Sequence, residues 1–413
     1  MVTGLLQVLK AHLWPEPIAE ASGFVTASAT IELANGSHTR LWYRTPQHYR
    51  QCLTNNCDPF IIAMIFLFMR EGSDVLIHGE ASPSLLRNLD EFQSAWVSWR
   101  PHLLRKVEIS VETETELPST PNSEKGIISF SGGVDSSFTT FRHKTNRCGW
   151  QRRNLVAGLM VHGFDIPLKD HAFEQAFRKS SRMLASLDME SIPLATNFRE
   201  AIGHDWEDTF GTGIASCLHL FKARYSTGIV ASSHSYHTLN FIYGSNPLTD
   251  RLLSSQSFEI VHDGAMYSRL EKIQSLLDWP EAIEHLRVCW QGKYKDQNCG
   301  RCEKCIRNIL NFRIAGAGLP PCFEQDVTDL QIATTSLGTT SLDIWETLLA
   351  NAKAANINSS WLLAVRVAIM INRPLIFLIN LLPQSMQELL KLFIHKQARM
   401  RDQLTCKPFT KRR

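Results

Sequence analysis

One stretch limits the fold of this chain more than any other. An apolar run over residues 126–130 meets Ser131-Gly132-Gly133-Val134-Asp135-Ser136-Ser137, and a helical pattern begins at Phe138. The pattern predicts a strand, a tight turn and a helix. Two adjacent glycines reach positive φ without a steric penalty and let backbone N–H groups come close to an anion. The helix behind them adds unpaired N–H groups and a positive dipole end, worth roughly 0.3–2 kcal/mol toward a negative group. Ser131, Ser136 and Ser137 supply hydroxyl donors, and Asp135 suits a Mg2+ ion that bridges phosphates. A plain strand-to-helix turn capped by Ser136 satisfies the same local pattern. No Gly-Lys-Ser/Thr follows, so the loop is not of the Walker A type.

From Gly126 onward, strand and helix patterns alternate. Apolar strand candidates cover 127–130, 155–161, 229–232 and 258–261, with helical stretches that include 170–186 and 206–225. This alternation predicts an α/β fold: a parallel sheet with helices on both faces, binding ligands at the carboxyl ends of its strands. Before it, 39–43 and 106–111 read as strands and 58–70 as a buried helix, together an N-terminal α+β extension. Leu117-Pro118-Ser119-Thr120-Pro121-Asn122-Ser123 reads as a linker. Beyond Leu319 the pattern is mostly helical through Arg401, followed by the basic Lys411-Arg412-Arg413. The expected parts are 1–122, 123–318 and a helical 319–413.

Four of the ten cysteines fall in one segment. Cys289, Cys299, Cys302 and Cys305 follow C-x9-C-x2-C-x2-C, a spacing that lets four thiolates surround one Zn2+ at about 2.3 Å each. Zinc is favoured over iron–sulfur, which similar runs also serve. A closed four-thiolate set is structural rather than catalytic. The other six cysteines are scattered, the pattern of a reducing compartment and a cytoplasmic protein. Hydrophobic residues at 44%, charged residues at 20% and a net charge of +3 describe a globular chain without polyelectrolyte character. The N-terminus lacks the apolar core of a signal peptide. Residues 361–382 are apolar, but Arg366 and Asn372-Arg373-Pro374 interrupt them, so a buried helical pair and no membrane partner are expected.

The loop resembles, residue for residue, the SGGxDS signature of the PP-loop ATP-pyrophosphatases. That resemblance implies a PP-loop sheet that binds ATP and Mg2+ and cleaves ATP between the α and β phosphates, adenylating a carbonyl oxygen. The loop residues Ser131, Gly132, Gly133, Asp135, Ser136 and Ser137 would hold the nucleotide, with Ser131 and Asp135 also catalytic. Adding Cys299-Gly300-Arg301-Cys302-Glu303-Lys304-Cys305 and Arg307, the chain looks like the 7-cyano-7-deazaguanine synthase family of the queuosine pathway, over about residues 126–315. Where that family has a Pro-Leu and then Ser-Lys-x-Glu, this chain has His262-Asp263-Gly264 and then Ser268-Arg269-Leu270-Glu271. Arg269 then stands in for the lysine as a phosphate contact and a third catalytic residue. The family also lacks the long terminal additions. The expected protein is a divergent, enlarged carbon–nitrogen ligase with a small-molecule or nucleobase-type substrate, or a nucleic acid or protein acceptor.

Other residues carry weaker signals. His162, after a predicted strand, is a candidate nucleotide contact, against a turn in which the backbone satisfies its ring. Arg199 is a phosphate candidate against a solvated arginine. His234, His237, Tyr243 and Ser245 follow the 229–232 strand, and His262 and Asp263 end the last one, as possible substrate contacts. Cys217 reads as core. Two rival functions remain. One is a thiolation enzyme acting on tRNA or a small molecule, which needs an exposed persulfide cysteine or an iron–sulfur cluster. The other is a non-catalytic nucleic-acid module using Arg301, Lys304, Arg307 and the basic tail.

Overall fold

The computed structural model describes residues 10–116, 124–239, 242–382 and Met386. Its sheet is built from β1 (Ala11–Pro15), β2 (Ala19–Ala21), β3 (Phe24–Glu32), β4 (His38–Pro46), then, after helix α1 (Asp58–Glu71), β5 (Val75–Ala81) and, after α2 (Pro83–Trp99), β6 (Ile109–Glu114). Next come β7 (Lys125–Ser129), α3 (Val134–Lys144), β8 (Asn154–His162), α4 (Ala172–Ala185), β9 (Glu190–Thr196), α5 (Phe198–Ile202), α6 (Trp206–His219), β10 (Thr227–Ala231) and β11 (Glu259–Asp263). All belong to one mixed, mostly parallel sheet in the order β11-β10-β7-β8-β9-β4-β3-β1-β5-β6, with β2 on β3. The α/β class is as expected. The strands read at 127–130, 155–161, 229–232 and 258–261 appear as β7, β8, β10 and β11.

The expected separate N-terminal extension instead shares this sheet. Antiparallel pairing of β4 with β9, with Tyr43 opposite Thr196 and Arg44 opposite Ala195, carries the sheet across both segments. Residues 117–123, read as a linker, lie outside the described residues. The chain divides into two compact units at Ser268, Met1–Ser268 and Arg269–Arg413, so the four-cysteine segment falls in the second.

Buried side chains add a second tie within the first unit. α1 is apolar on nearly every side and buries Ile61 through Phe68 at 3% exposure or less, so it sits inside the core rather than on its surface. At its start the fully buried Asp58 accepts from Ser82 backbone N–H (2.9 Å), Ser82 Oγ (2.7 Å) and Lys222 Nζ (2.5 Å). Tyr43 Oη donates to Ser216 Oγ at 3.0 Å. Burial opposes the Asp58 charge, but Lys222, His219 and these hydrogen bonds outweigh it and hold the carboxyl below its usual range.

His219 lies in the same layer, fully buried, with Nε2 2.7 Å from the Leu253 carbonyl. Burial, reinforced by Lys222, pushes its pKa down to about 4, so the folded state keeps it neutral where the unfolded chain protonates it. Stability is therefore present above the unfolded value of about 6.5 and is lost as pH falls toward 4, by on the order of 3 kcal/mol over the full range. Urea unfolding of wild type and His219→Gln at pH 7.5 and 5.0 checks this. The variant should lose clearly less stability between the two; equal losses would remove His219 as the cause.

The second unit contains α7 (Arg269–Leu276), α8 (Pro280–His285), α9 (Glu303–Ile314), α10 (Asp329–Ala333), α11 (Thr339–Ala354) and α12 (Trp361–Asn380). The helical C-terminal reading holds through α12; its continuation to Arg401, Cys406 and the basic tail lie outside the described residues. In place of the expected buried helical pair, α12 is a single helix with Pro374 inside it. Among the described residues it is the one helix long and apolar enough to cross a membrane, and 39% of the relevant window is buried.

Candidate functional site

The parallel half of the sheet reverses its direction of growth between β7 and β10. In chain order β7, β8 and β9 build outward on one side; β10 and β11 then add on the other. Open α/β sheets bind ligands at such a reversal, beyond the carboxyl ends of the strands. The loop that follows β7 is Ser131 to Gly133. Gly132 adopts φ +71°, a conformation side-chain-bearing residues rarely take, and a Cβ there would stand 3.0 Å from Ser180 Oγ. α3 starts at Val134 with no side chain capping its N-terminus. The Ser136 hydroxyl donates weakly to the Gly133 carbonyl at 3.3 Å rather than capping the helix. Ser131 Oγ accepts from Gly133 N–H at 3.3 Å, and the fully buried Ser137 Oγ has no hydrogen-bond partner. The arrangement is a turn with long, replaceable internal contacts at the mouth of an open helix end, one able to receive an anion.

Tyr243 packs between α6 and the loop that follows β10. The segment carrying it lies directly on α6: Gly244 N–H donates to the Glu207 carbonyl at 2.9 Å, and a Cβ on Gly211 would meet Gly244 O at 2.1 Å. Only glycine permits that approach. Tyr243 packs on Phe210 (ring centroids 4.9 Å) and His234 (4.7 Å). Burial first, then the charges of Glu207, Asp135 and Asp165, push its hydroxyl pKa up to about 12. Asp135 from the loop and Asp165 after β8 are thus each near enough for their charge to act on the Tyr243 hydroxyl. Phe210 carried no sequence signal, because a phenylalanine in a helical run reads as core.

Several candidates have other roles. His162 Nε2 is 2.9 Å from the Pro167 carbonyl and its ring stacks on Phe173 at 4.4 Å, so it closes the turn after β8, as the backbone-satisfied alternative expects. Arg199 is exposed, donates to Phe164 O at 3.0 Å and lies over Trp206 at 4.9 Å, as the solvated-arginine alternative allows. Asp263, 5% exposed, is paired with Arg142 at 2.7 Å and His143 at 3.3 Å. Burial opposes its charge, but those two partners hold the carboxyl below the usual range. His143 Nδ1 accepts from Arg153 N–H, so Nε2 carries the proton toward Asp263. Through these two partners Asp263 anchors α3. Cys217 is fully buried, and burial raises its thiol pKa. His237 is in a short turn at Tyr236–Thr238, and Arg269 opens α7 in the second unit.

His262 has a different setting. Its Nδ1 is 2.7 Å from Asp250 Oδ2, which also accepts from Ser245 Oγ at 2.7 Å. The carboxylate orients the ring and leaves Nε2 with a lone pair; among the described residues that buried atom has no partner. An imidazole held in this way can take a proton. Asp250 was not legible in the sequence, because it lies 12 residues from His262 in a turn with no motif of its own.

In the second unit the four cysteines meet. Their sulfurs all lie within 4.8 Å of one another, with Cys289–Cys302 at 3.6 Å and Cys299–Cys305 at 3.8 Å. Zn–S bonds of about 2.3 Å give tetrahedral S···S edges of about 3.8 Å, so the set fits a single ion. A cluster of several irons would hold its thiolates farther apart. Gly300 at φ +69° makes the turn between the second and third cysteines, and Cys302 N–H donates to Cys299 Sγ at 3.3 Å. Cys302 stands at the N-terminal boundary of α9 and Cys305 lies in its first turn. Hydrogen bonds from Cys299, Cys302 and Cys305 drive the Cys289 thiol strongly toward its thiolate. Asn298 braces the loop: its Oδ1 accepts from Val288 N–H at 2.8 Å, and its Nδ2 donates to Leu286 and Cys322 carbonyls at 2.8 and 3.0 Å. These cysteines could bind a metal such as zinc.

No protein-family model matches this chain, and no curated protein or solved structure matches it either.

Proposed function

We propose that this chain is an ATP-dependent ligase that adenylates a carboxylate or amide carbonyl and transfers nitrogen to it. The observation that carries this reading is the Ser131-Gly132-Gly133 turn, with its open helix N-terminus, at the reversal point of a parallel sheet. The carbonyl oxygen attacks the α phosphorus, the bond to the bridging α–β oxygen breaks, and pyrophosphate leaves from the cradle of loop N–H groups and serines. Ammonia then attacks the activated carbon, AMP leaves, and the proton lost by nitrogen is taken up by a base, for which the Asp250-oriented His262 is suited. Asp135, with Asp165 nearby, would hold Mg2+, which neutralises charge on the departing phosphates. The four cysteines would hold Zn2+ as a structural ion.

The nitrogen-transfer reading is favoured over thiolation by the cysteines themselves. Burial raises Cys148 to about 11 and Cys322 to about 12, away from the reactive thiolate a persulfide carrier needs. The cysteine geometry also suits one ion rather than an iron–sulfur cluster.

The test is ATP turnover with 7-carboxy-7-deazaguanine and ammonia, reading AMP, pyrophosphate and organic product by mass spectrometry. Asp135→Ala should lower AMP formation at least about 100-fold, the scale of losing one electrostatic contact to a transition state. AMP without a nitrile or amide product would retain adenylation and reject that substrate. Absence of AMP, or equal AMP from the variant, would reject the loop mechanism.

A further inference from the structure

Two imidazoles meet where β1, β5 and β6 end the sheet, away from the strands that carry the loop. β1 pairs in parallel with β5, and β5 with β6, so side chains on one face of adjacent strands come within contact. Ala11, Leu13, Val75 and Ile77 point inward and are buried at 1% exposure or less. Strand alternation therefore turns His12, Trp14 and His78 to the outer face. There His12 Nδ1 is 2.9 Å from His78 Nε2, and His78 Nδ1 is 2.7 Å from a Glu112 carboxylate oxygen. The three rings lie within 22° of parallel, with Trp14 stacked on His78 at 4.7 Å and on His12 at 5.0 Å. Stacking and strand pairing together hold the two ring nitrogens face to face.

Glu112 sets the proton positions. Its carboxylate accepts from His78 Nδ1–H, which leaves a lone pair on Nε2, and His12 Nδ1–H donates to that lone pair. Moving the His12 proton to its own Nε2 changes the tautomer but not the charge, and gives both facing nitrogens a lone pair. Two nitrogens about 2.05 Å from one ion lie about 2.9 Å apart at a right angle and about 3.3 Å apart in a tetrahedron. The observed spacing matches neighbouring positions of a square-planar or octahedral ion. We propose that His12 Nδ1 and His78 Nε2 chelate a divalent late transition-metal ion, Ni2+ or Cu2+, between β1 and β5. Glu112 supports His78 from behind, as carboxylates do for metal-bound imidazoles, and water fills the remaining positions. The His78 side chain is 21% exposed, so an ion reaches it from solvent. The four cysteines belong to the other unit, and their soft thiolates suit a different ion.

Calorimetric titration with NiCl2 tests this, using the full chain without a histidine tag, saturated with Zn2+ and then dialysed. Zinc content is measured before and after. One equivalent of Ni2+ should bind without displacing zinc, and X-ray absorption at the nickel edge should show scattering from two imidazole rings. His12→Gln and His78→Gln each remove one of two protein ligands. Each should weaken binding at least about 100-fold, the upper end of what losing a supporting partner alone costs. Glu112→Gln keeps both ligands and should weaken binding about tenfold, the lower end of that range. Circular dichroism and melting of the metal-free variants should match wild type, and the exposed Glu112 position keeps the test valid if a histidine variant misfolds. No added equivalent, or an affinity that all three variants leave unchanged, would overturn the proposal and leave the pair as a plain hydrogen bond. Ni2+ uptake matched by zinc release would also overturn it, by assigning the binding to the cysteines.

Discussion

Cys305→Ser is expected to release the metal and unfold much of the second unit. Cys305 is fully buried beside Ile306, Ile309 and Trp345, in the same apolar cluster as Cys289 and Cys302. The candidate metal site and the core of this unit therefore share residues. Metal binding contributes about 10–16 kcal/mol in small zinc domains, so losing one of four ligands should cost at least about 3 kcal/mol. A serine hydroxyl is a poor substitute, since it does not ionise at neutral pH as a thiol among thiolates does. Elemental analysis of the purified wild type should give one zinc per chain, and of the variant close to none. The variant should also show a separate low-temperature transition on heating. A variant that keeps one equivalent of metal and melts like wild type would remove the cysteines as a metal site. Loss of metal without destabilisation would leave the site intact but deny it a structural role.

Lys222→Met should cost about 3–5 kcal/mol, because it strands the Asp58 carboxylate in a dry interior. Both side chains are fully buried, so bulk solvent does not repay the charge. Asp58 would then retain only the Ser82 contacts, which cannot balance a full charge. Its carboxyl pKa, now held low chiefly by Lys222, should rise. The double variant Asp58→Asn/Lys222→Met removes both charges and should recover a large part of the loss, since buried ion pairs are often matched by neutral side chains of similar size. Denaturant unfolding of the two single variants and the double gives the coupling energy. A single-variant loss below about 1 kcal/mol would show that the pair is solvated in solution and does not bind the two segments together.

The strands and the loop were legible because each is announced by neighbouring residues. β7 and β8 are continuous apolar runs, as strands covered on both faces must be. Gly132 stands where the chain needs positive φ and a close approach to Ser180, while Gly133 keeps φ −82°. The cysteine site was equally plain, since Gly300 and two x2 spacings bring three thiols together locally. Pairings between distant residues were not legible. Asp58 with Lys222 spans 164 positions and Arg142 with Asp263 spans 121, and nothing in the local pattern of either residue names its partner. His162 shows a related limit: a polar residue at a strand end looks the same in sequence whether it faces ligand or closes its own turn. α12 was misjudged because Pro374 and two arginines suggested a break. A helix continues through proline when the unbonded carbonyl and the ring can face outward.

The sequence by itself determined the α/β class, the strand–glycine–helix turn and the four thiols, since these depend on contacts within a few residues and on side-chain alternation. Only the tertiary structure decided that the N-terminal strands extend the same sheet through β4 and β9, that Asp263 is an anchor, that Asp250 orients His262, and that one side of α12 is left uncovered. Those outcomes depend on which surfaces meet after the chain has folded back on itself, and that is a property of long-range packing rather than of any local run of residues.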